Sequence, residues 1–279
     1  MNSVRKFLLL LLLPALTLAH EFWLAPATYR VAVGAPVPVR LLVGMDFVGE
    51  TWARPTRKVQ RLVRLGPGGA TDTTDLRPAL LADSAAPPLR CPAPGTHLVV
   101  LTSHEAFLEL PGAQFTDYLK EEGLDQLLLR RKEAGQTGKP GREAYRRCAK
   151  TLLLAGRSAS APADTLYRRV LGLPLELVPE QNPYQLRPGA SLTVRLLRYG
   201  QPVAGALVQV WDSSLPGPAR RFAPRTNPQG RLLLRLSGPG PYLLAAVCME
   251  AAPPALAPRA DWLSTWASLT FGGPGAGGR

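Results

Sequence analysis

Imidazoles are scarce in this chain, and their positions frame the chemistry it could do. There are three: His20, His97 and His104. His20 stands where an export signal would be cut. Cleavage there would leave a free α-amine beside an imidazole, two nitrogens able to chelate one ion, and imidazole suits copper, nickel and zinc. The plainer reading is that the peptidase tolerates His20, while Phe22, Trp23 and Leu24 anchor the first strand. A metal site needs further ligands. His104, beside Glu105 and beyond a strand, would face solvent and is the better partner, or else it is an ordinary turn residue. His97 opens a strand, where packing is its expected role. Asp46, Cys248 and Met249 are conceivable ligands without a spacing argument. No HxxxH, HExxH or paired CxxC occurs, so the metal signal is weak. The expected set is His20 and His104, holding nickel, cobalt or copper.

Other chemistry is thinner still. No GxSxG elbow is present, and a nucleophilic Ser or Cys would compete for few His bases. No catalytic or cofactor-binding residue is assigned, and the chain is expected to be non-catalytic. Glu121 and Glu122 are adjacent, so on a helix they do not face each other and read as a solvated face. Glu143, Tyr145, Arg146 and Lys150 read as helix-surface ion pairs. Trp52, Trp211, Trp262 and Trp266 could form a stacking platform for sugars, or simply pack the core. Trp262 and Trp266 are four apart, a spacing that suits a helical turn.

The elements that must position these groups begin with an export signal. Arg5 and Lys6 precede the apolar run FLLLLLL. Pro14 breaks it, and Thr17-Leu18-Ala19 supplies small residues at the cleavage point. The run is short of the roughly 20 residues that span a bilayer, and no later stretch reaches that length without charge or Pro. A cleaved leader over 1–19 and a periplasmic or extracellular mature chain, with no transmembrane segment, are expected. Net charge is +13, but the basic residues are scattered and mostly Arg, without interleaved aromatics. That argues against a nucleic-acid partner. Three cysteines, Cys91, Cys148 and Cys248, allow one disulfide at most, and buried free thiols are the simpler expectation.

Pro 29 and Gly 26 punctuate a chain that is 46% hydrophobic, which points to a turn-rich β protein. Strand text covers Tyr29 to Val43, split at Gly34-Ala35-Pro36. It returns at Val59 to Leu65 and again in HLVVLTS after Gly95-Thr96. Residues 70–92 should be mostly loop. From Gln114 the period changes: Phe115, Tyr118, Leu119, Leu124, Leu127 and Leu128 recur every three or four residues. Arg142 to Leu154 resumes that spacing through Tyr145, Cys148, Ala149 and Leu152. The spacing predicts a helical excursion over about 113–156. After a linker near Pro179 to Pro183, strand text resumes at Leu192 to Leu197, Ala206 to Trp211, Leu232 to Leu236, Tyr242 to Val247 and Asp261 to Phe271.

The segments GQPVAGALVQVW, TNPQGRLLLRL and GPGPYLLAAV resemble the transthyretin-like or carboxypeptidase-regulatory-like β-sandwich. The chain as a whole resembles the exported family catalogued as domain of unknown function 4198. HEFWL, VGMDFVGE, FTDYLKEEGL, REAYRRCAK, LGLPLELVPEQNPYQL and ADWLSTWASLTF carry that resemblance in order, from His20 to Phe271. Some members are associated with nickel or cobalt uptake. Relatives often carry His-Met where this chain has Cys248-Met249, which puts a ligand at that position in doubt.

The expected architecture is mainly β, with two β-sandwich domains. The first spans 20–180 and carries the helical insertion, the second is a transthyretin-like sandwich over 181–271, and 272–279 form a disordered tail. The expected function is an exported, non-catalytic binding or accessory protein that handles a transition metal for uptake, with a membrane transport complex as partner. The alternative is a periplasmic or cell-surface module that binds glycan or protein.

Overall fold

A computed structural model describes residues 21–156 and 164–275. Along the chain run β1 (Glu21–Pro26), β2 (Arg30–Val31), β3 (Pro36–Met45), β4 (Val48–Thr51), α1 (Pro55–Lys58) and β5 (Val59–Leu65). Then come β6 (Thr73–Asp75), α2 (Arg77–Ala82), β7 (Pro88–Arg90), β8 (Gly95–Ser103) and β9 (Ala106–Leu110). α3 (Gly112–Glu121), α4 (Asp125–Glu133), β10 (Gly141–Ala155) and β11 (Glu176–Pro179) follow. The remainder is β12 (Ser191–Arg198), β13 (Gln201–Pro202), β14 (Gln209–Asp212), β15 (Arg220–Phe222), β16 (Arg231–Arg235), β17 (Pro241–Ala251) and β18 (Trp262–Gly272).

The protein is mainly β, as its composition implies. A ten-stranded sheet runs β15-β14-β17-β18-β10-β8-β5-β6, with β2 and β9 also paired to β10. A sheet of β1, β3, β4 and β7 covers one face, and a sheet of β11, β12, β13 and β16 covers the other. The alternation of side chains along a strand explains both cores. On β8, Leu98 and Val100 join the core toward β12 and β16, while Val99 and Leu101 join the core toward β1 and β3. On β10, Cys148, Leu152 and Leu154 face the first core, and Ala149, Leu153 and Ala155 the second. Strands buried on both faces read as continuous apolar text, which is why HLVVLTS lacks alternation.

This double burial corrects the expected helix over 113–156. Its first part is helical as α3 and α4, but residues 141–155 form β10, the longest strand. Tyr145, Cys148, Ala149 and Leu152 mimic a helical stripe because a doubly buried strand needs apolar residues on both faces. Glu143 and Lys150, expected on a solvated helix surface, are instead 2% exposed each and lie on opposite faces of the sheet. Glu122 is also buried, at 6%, which corrects its assignment to a solvated face. Trp262 and Trp266 lie on β18, not on a helical turn; residues four apart also share a face in a strand.

β10 pairs in parallel with β18, Glu143 opposite Trp262 through Thr151 opposite Thr270. Strands from 20–180 and from 181–271 therefore meet in one sheet. The segment 70–92, expected as loop, holds β6, α2 and β7 among its turns. Gly272 ends β18, and the Gly273 N–H donates to the Gly240 carbonyl at 3.0 Å. Residues 276–279 lie outside the described residues.

The β3–β4 hairpin closes on a two-residue turn, Asp46 and Phe47, both at positive φ (52° and 62°). This is the primed turn that matches strand twist. A bulky side chain rarely accepts that conformation. Here the Phe47 ring packs edge-on against Trp23, with centroids 5.6 Å apart.

Candidate functional site

The alternation that carries β10 across the sheet also sets three side chains in a row. Glu143, Tyr145 and Arg147 share the face turned toward β1 and β3. Across the parallel ladder, Ser264 and Trp266 of β18 lie opposite Tyr145 and Arg147. The β3–β4 hairpin overhangs this face from one side and α3 closes it from another. Between them lies a cleft of about 750 Å³. Trp52, Phe107, Tyr118 and Trp266 form its aromatic walls, and Glu143, Tyr145 and Arg147 its floor. Tyr118 stacks on Trp266, with centroids 6.1 Å apart and planes 12° from parallel.

Glu143 is held by two hydroxyls on one oxygen. Tyr118 donates to Oε1 at 3.2 Å, and the Ser264 hydroxyl also donates to Oε1. Oε2 is buried and has no hydrogen-bond partner among the described residues. Burial pushes the carboxyl up to about 7, against the pull of Ser264, Tyr118 and Arg147. A neutral carboxyl there can donate from Oε2, and an ionised one can only accept.

Arg147 is 9% exposed. Its guanidinium lies 5.2, 5.9 and 5.4 Å from the ring centroids of Phe22, Trp52 and Tyr145. Aromatic faces attract a cation most strongly where water is excluded, so the rings hold Arg147 in place as a positive charge. Lys58 approaches the same Trp52 ring at 5.0 Å. Burial first, then the charges of Arg147 and Arg54, pull the Lys58 ammonium below its ordinary value. Two cations thus crowd one indole at the edge of the cleft.

A second polar cluster lies near the start of β1. Both Glu122 oxygens accept from Gln209 Nε2, at 3.3 and 3.2 Å, and Arg221 donates to Gln209 Oε1. Burial and then the charge of Glu21 push Glu122 up to about 8, and burial pushes Glu21 up to about 7.

Residues 17–250 match the family model described as Domain of unknown function (DUF4198). The chain belongs to this family. No curated protein matches the sequence of this DUF4198 chain. The solved structures that align with it include three at low identity. The D0-D1 domain of intimin is 11% identical over 90% of this chain and 97% of that one, with a TM-score of 0.20. A tetra-tandem repeat from the extending region of a large adhesion protein is 10% identical over 91% and 49%, at 0.20. Dimeric latent PorU from Porphyromonas gingivalis is 12% identical over 91% and 20%, at 0.18. Likenesses at these scores say nothing about the fold or function of the DUF4198 chain.

His20 lies outside the described residues. His104 is exposed just past β8, its backbone N–H donating to the Lys58 carbonyl at 2.9 Å. His97 is fully buried. Its Nε2 donates to the Ala93 carbonyl at 2.8 Å and its Nδ1 accepts from Arg64 at 3.1 Å, so both ring nitrogens are engaged within the fold. Among the described residues no group of three or more His, Cys, Asp or Glu could hold a metal ion. Cys91, Cys148 and Cys248 are free thiols. Of the four tryptophans weighed as a platform, Trp52 and Trp266 line the cleft. Trp211 packs in a separate core cluster with Trp23, and Trp262 packs beside the helices. The floor residues Glu143 and Arg147 were legible only as an alternation, E-A-Y-R-R, inside text that reads as helix.

Proposed function

We propose that this protein is an exported binding module whose ligand is a small organic molecule seated in the cleft over β10. One observation carries the reading: Glu143 Oε2, buried and without a hydrogen-bond partner among the described residues, belongs to a carboxyl on the floor of an aromatic-walled cleft. A buried polar atom left unsatisfied costs about 1–3 kcal/mol, and a ligand hydrogen bond would remove that cost. The cleft's size falls in the roughly 300–1,000 Å³ range of ligand pockets. The leader-like text over 1–19 supports export, and among the described residues no helix is long and apolar enough to cross a membrane.

The test uses the mature chain, beginning at His20, with a panel of neutral sugars, aromatic acids, amides and amines. Binding is read by tryptophan fluorescence and by the rise in unfolding temperature. A binder should shift the Trp52 and Trp266 emission, and Trp266→Ala should weaken it at least tenfold without unfolding the chain. A panel in which no compound raises the unfolding temperature would overturn the reading.

A further inference from the structure

The Glu143 carboxyl narrows the class of ligand through what its two oxygens already do. Oε1 accepts from the Tyr118 and Ser264 hydroxyls, so a proton on this carboxyl belongs on Oε2. Oε2 is buried and has no hydrogen-bond partner among the described residues. With its proton Oε2 is a donor, and without it an acceptor. Glu143 titrates near 7, so both forms are populated around neutral pH. A hydroxyl donates and accepts through one oxygen and satisfies either form by turning its own proton. An ether oxygen can only accept, and an ammonium can only donate.

Most of the remaining lining is apolar. Phe107, Leu108 and Leu110 of β9 and Met45 and Val48 of the β3–β4 hairpin line the cleft. Met45 and Val48 flank the Asp46–Phe47 turn, and both are exposed. Exposed apolar side chains gathered at a cleft mark a place where another apolar surface is covered. A polyhydroxylated ring would press its further hydroxyls against these walls without partners, at a desolvation cost for each.

Resting on the cleft as the binding site, we propose that the ligand is an uncharged, largely apolar molecule whose hydroxyl sits on Glu143 Oε2. Its body lies along the walls formed by β9 and the β3–β4 hairpin. The hydroxyl donates to Oε2 when Glu143 is ionised and accepts from it when Glu143 is protonated, while Tyr118 and Ser264 hold Oε1. No covalent bond changes, and binding neither takes up nor releases a proton.

The groups that face Glu143 are the Tyr118 hydroxyl from α3, the Ser264 hydroxyl from β18 and, on β10 itself, Tyr145 and Arg147. Glu50 of β4 stands exposed at the rim. A head group that only accepts binds the protonated carboxyl, so its affinity falls by roughly tenfold between pH 6 and pH 8. A cationic head group prefers the ionised carboxyl and moves the other way by a similar factor. A hydroxyl serves both forms, and its affinity changes by less than about twofold over that range.

The probes are 2-naphthol and 4-cyclohexylphenol, each against its methyl ether, with 2-naphthylmethylamine as the cation. They are titrated calorimetrically into the full mature chain at pH 6 and pH 8. At least one hydroxyl compound should bind, with affinities at the two pH values that agree within about twofold. Its heat of binding should not depend on the buffer's ionisation enthalpy. Its methyl ether should bind roughly tenfold or more weakly than the parent at pH 8. Glu143→Gln presents an amide nitrogen that only donates. This variant should keep the hydroxyl compound and give the ether one affinity at both pH values. An ether that matches its parent at pH 8, an amine that binds more tightly than the hydroxyl compound, or a hydroxyl compound whose affinity falls tenfold with pH would overturn the hydroxyl proposal and leave the cleft as a binding site. Silence from both hydroxyl compounds while another compound of the wider panel binds would overturn it too. Silence from every compound, these and the wider panel together, would overturn the cleft reading itself.

Discussion

Replacing Glu122 with glutamine should flatten the pH dependence of this protein's stability. Glu122 is 6% exposed at the end of α3. Burial and the Glu21 charge lift its carboxyl from 4.5 to about 8, against the pull of Gln209 and Arg221. The native state thus holds its proton more tightly than the unfolded chain does. Between pH 4.5 and pH 8 the native state binds more protons, so stability falls as pH rises through that window. One pKa unit is worth about 1.4 kcal/mol, so the full gap corresponds to roughly 5 kcal/mol. Glu21 and Glu143, both near 7, act in the same sense. A glutamine at 122 stays neutral at every pH, and its oxygen can accept from Gln209 Nε2 as the carboxyl does. Urea unfolding at pH 5 and pH 8 measures the effect. The variant should match the parent within about 1 kcal/mol at pH 5, the usual net worth of one hydrogen bond. At pH 8 it should exceed the parent by about 2 kcal/mol or more, a conservative part of the linkage above. Parallel pH profiles for the two proteins would refute the reasoning.

Three other outcomes follow from the packing. Lys150 donates to Glu176 at 2.9 Å with both side chains buried, and three further N–H groups, of Leu171, Gly172 and Leu173, donate to Glu176. Lys150→Met alone should cost about 3–5 kcal/mol in urea unfolding because it strands a buried carboxylate. Lys150→Met with Glu176→Gln should recover part of that loss. A Cβ on Gly141 would run into the Phe115 ring, so Gly141→Ala should cost about 1–3 kcal/mol in thermal unfolding. Cys91 and Cys148 are buried, and burial pushes both thiols up to about 11. Burial pushes the Cys248 thiol up to about 11 as well, but it alone of the three is partly exposed, so a colorimetric thiol reagent at pH 8 should label Cys248 alone in the native chain, slowly, and all three once urea is added.

The fold was more legible in the residues than the site was. Val59 to Leu65 and HLVVLTS are strands as their text suggests, and Phe115, Tyr118 and Leu119 of α3 pack with Leu127 of α4 in one buried cluster. Tyr199 and Gly200, both at positive φ, turn the chain from β12 into β13. β10 was hidden because burial on two faces erases the two-residue period. With it went the site, since Glu143, Tyr145 and Arg147 converge only once that stretch is extended. The histidines drew notice through rarity, yet His97 serves the fold and His104 is exposed just past β8. Glu122 read as solvated because its partner, Gln209, is 87 residues away in the chain, a separation that no local pattern encodes.

The parallel pairing of β10 with β18 also sets a timetable for folding. β10 lies at the centre of the ten-stranded sheet, but its neighbour on one side is the final strand, and the Arg142–Asp261 contact closes over 119 residues. Contacts of such sequence separation form slowly. As the chain is synthesised, the first half carries an open edge where β18 belongs, and the floor of the cleft lacks Ser264 and Trp266. The molecule stays incomplete until its last strand emerges. That delay ties both halves of the chain to a single seam, β10 against β18.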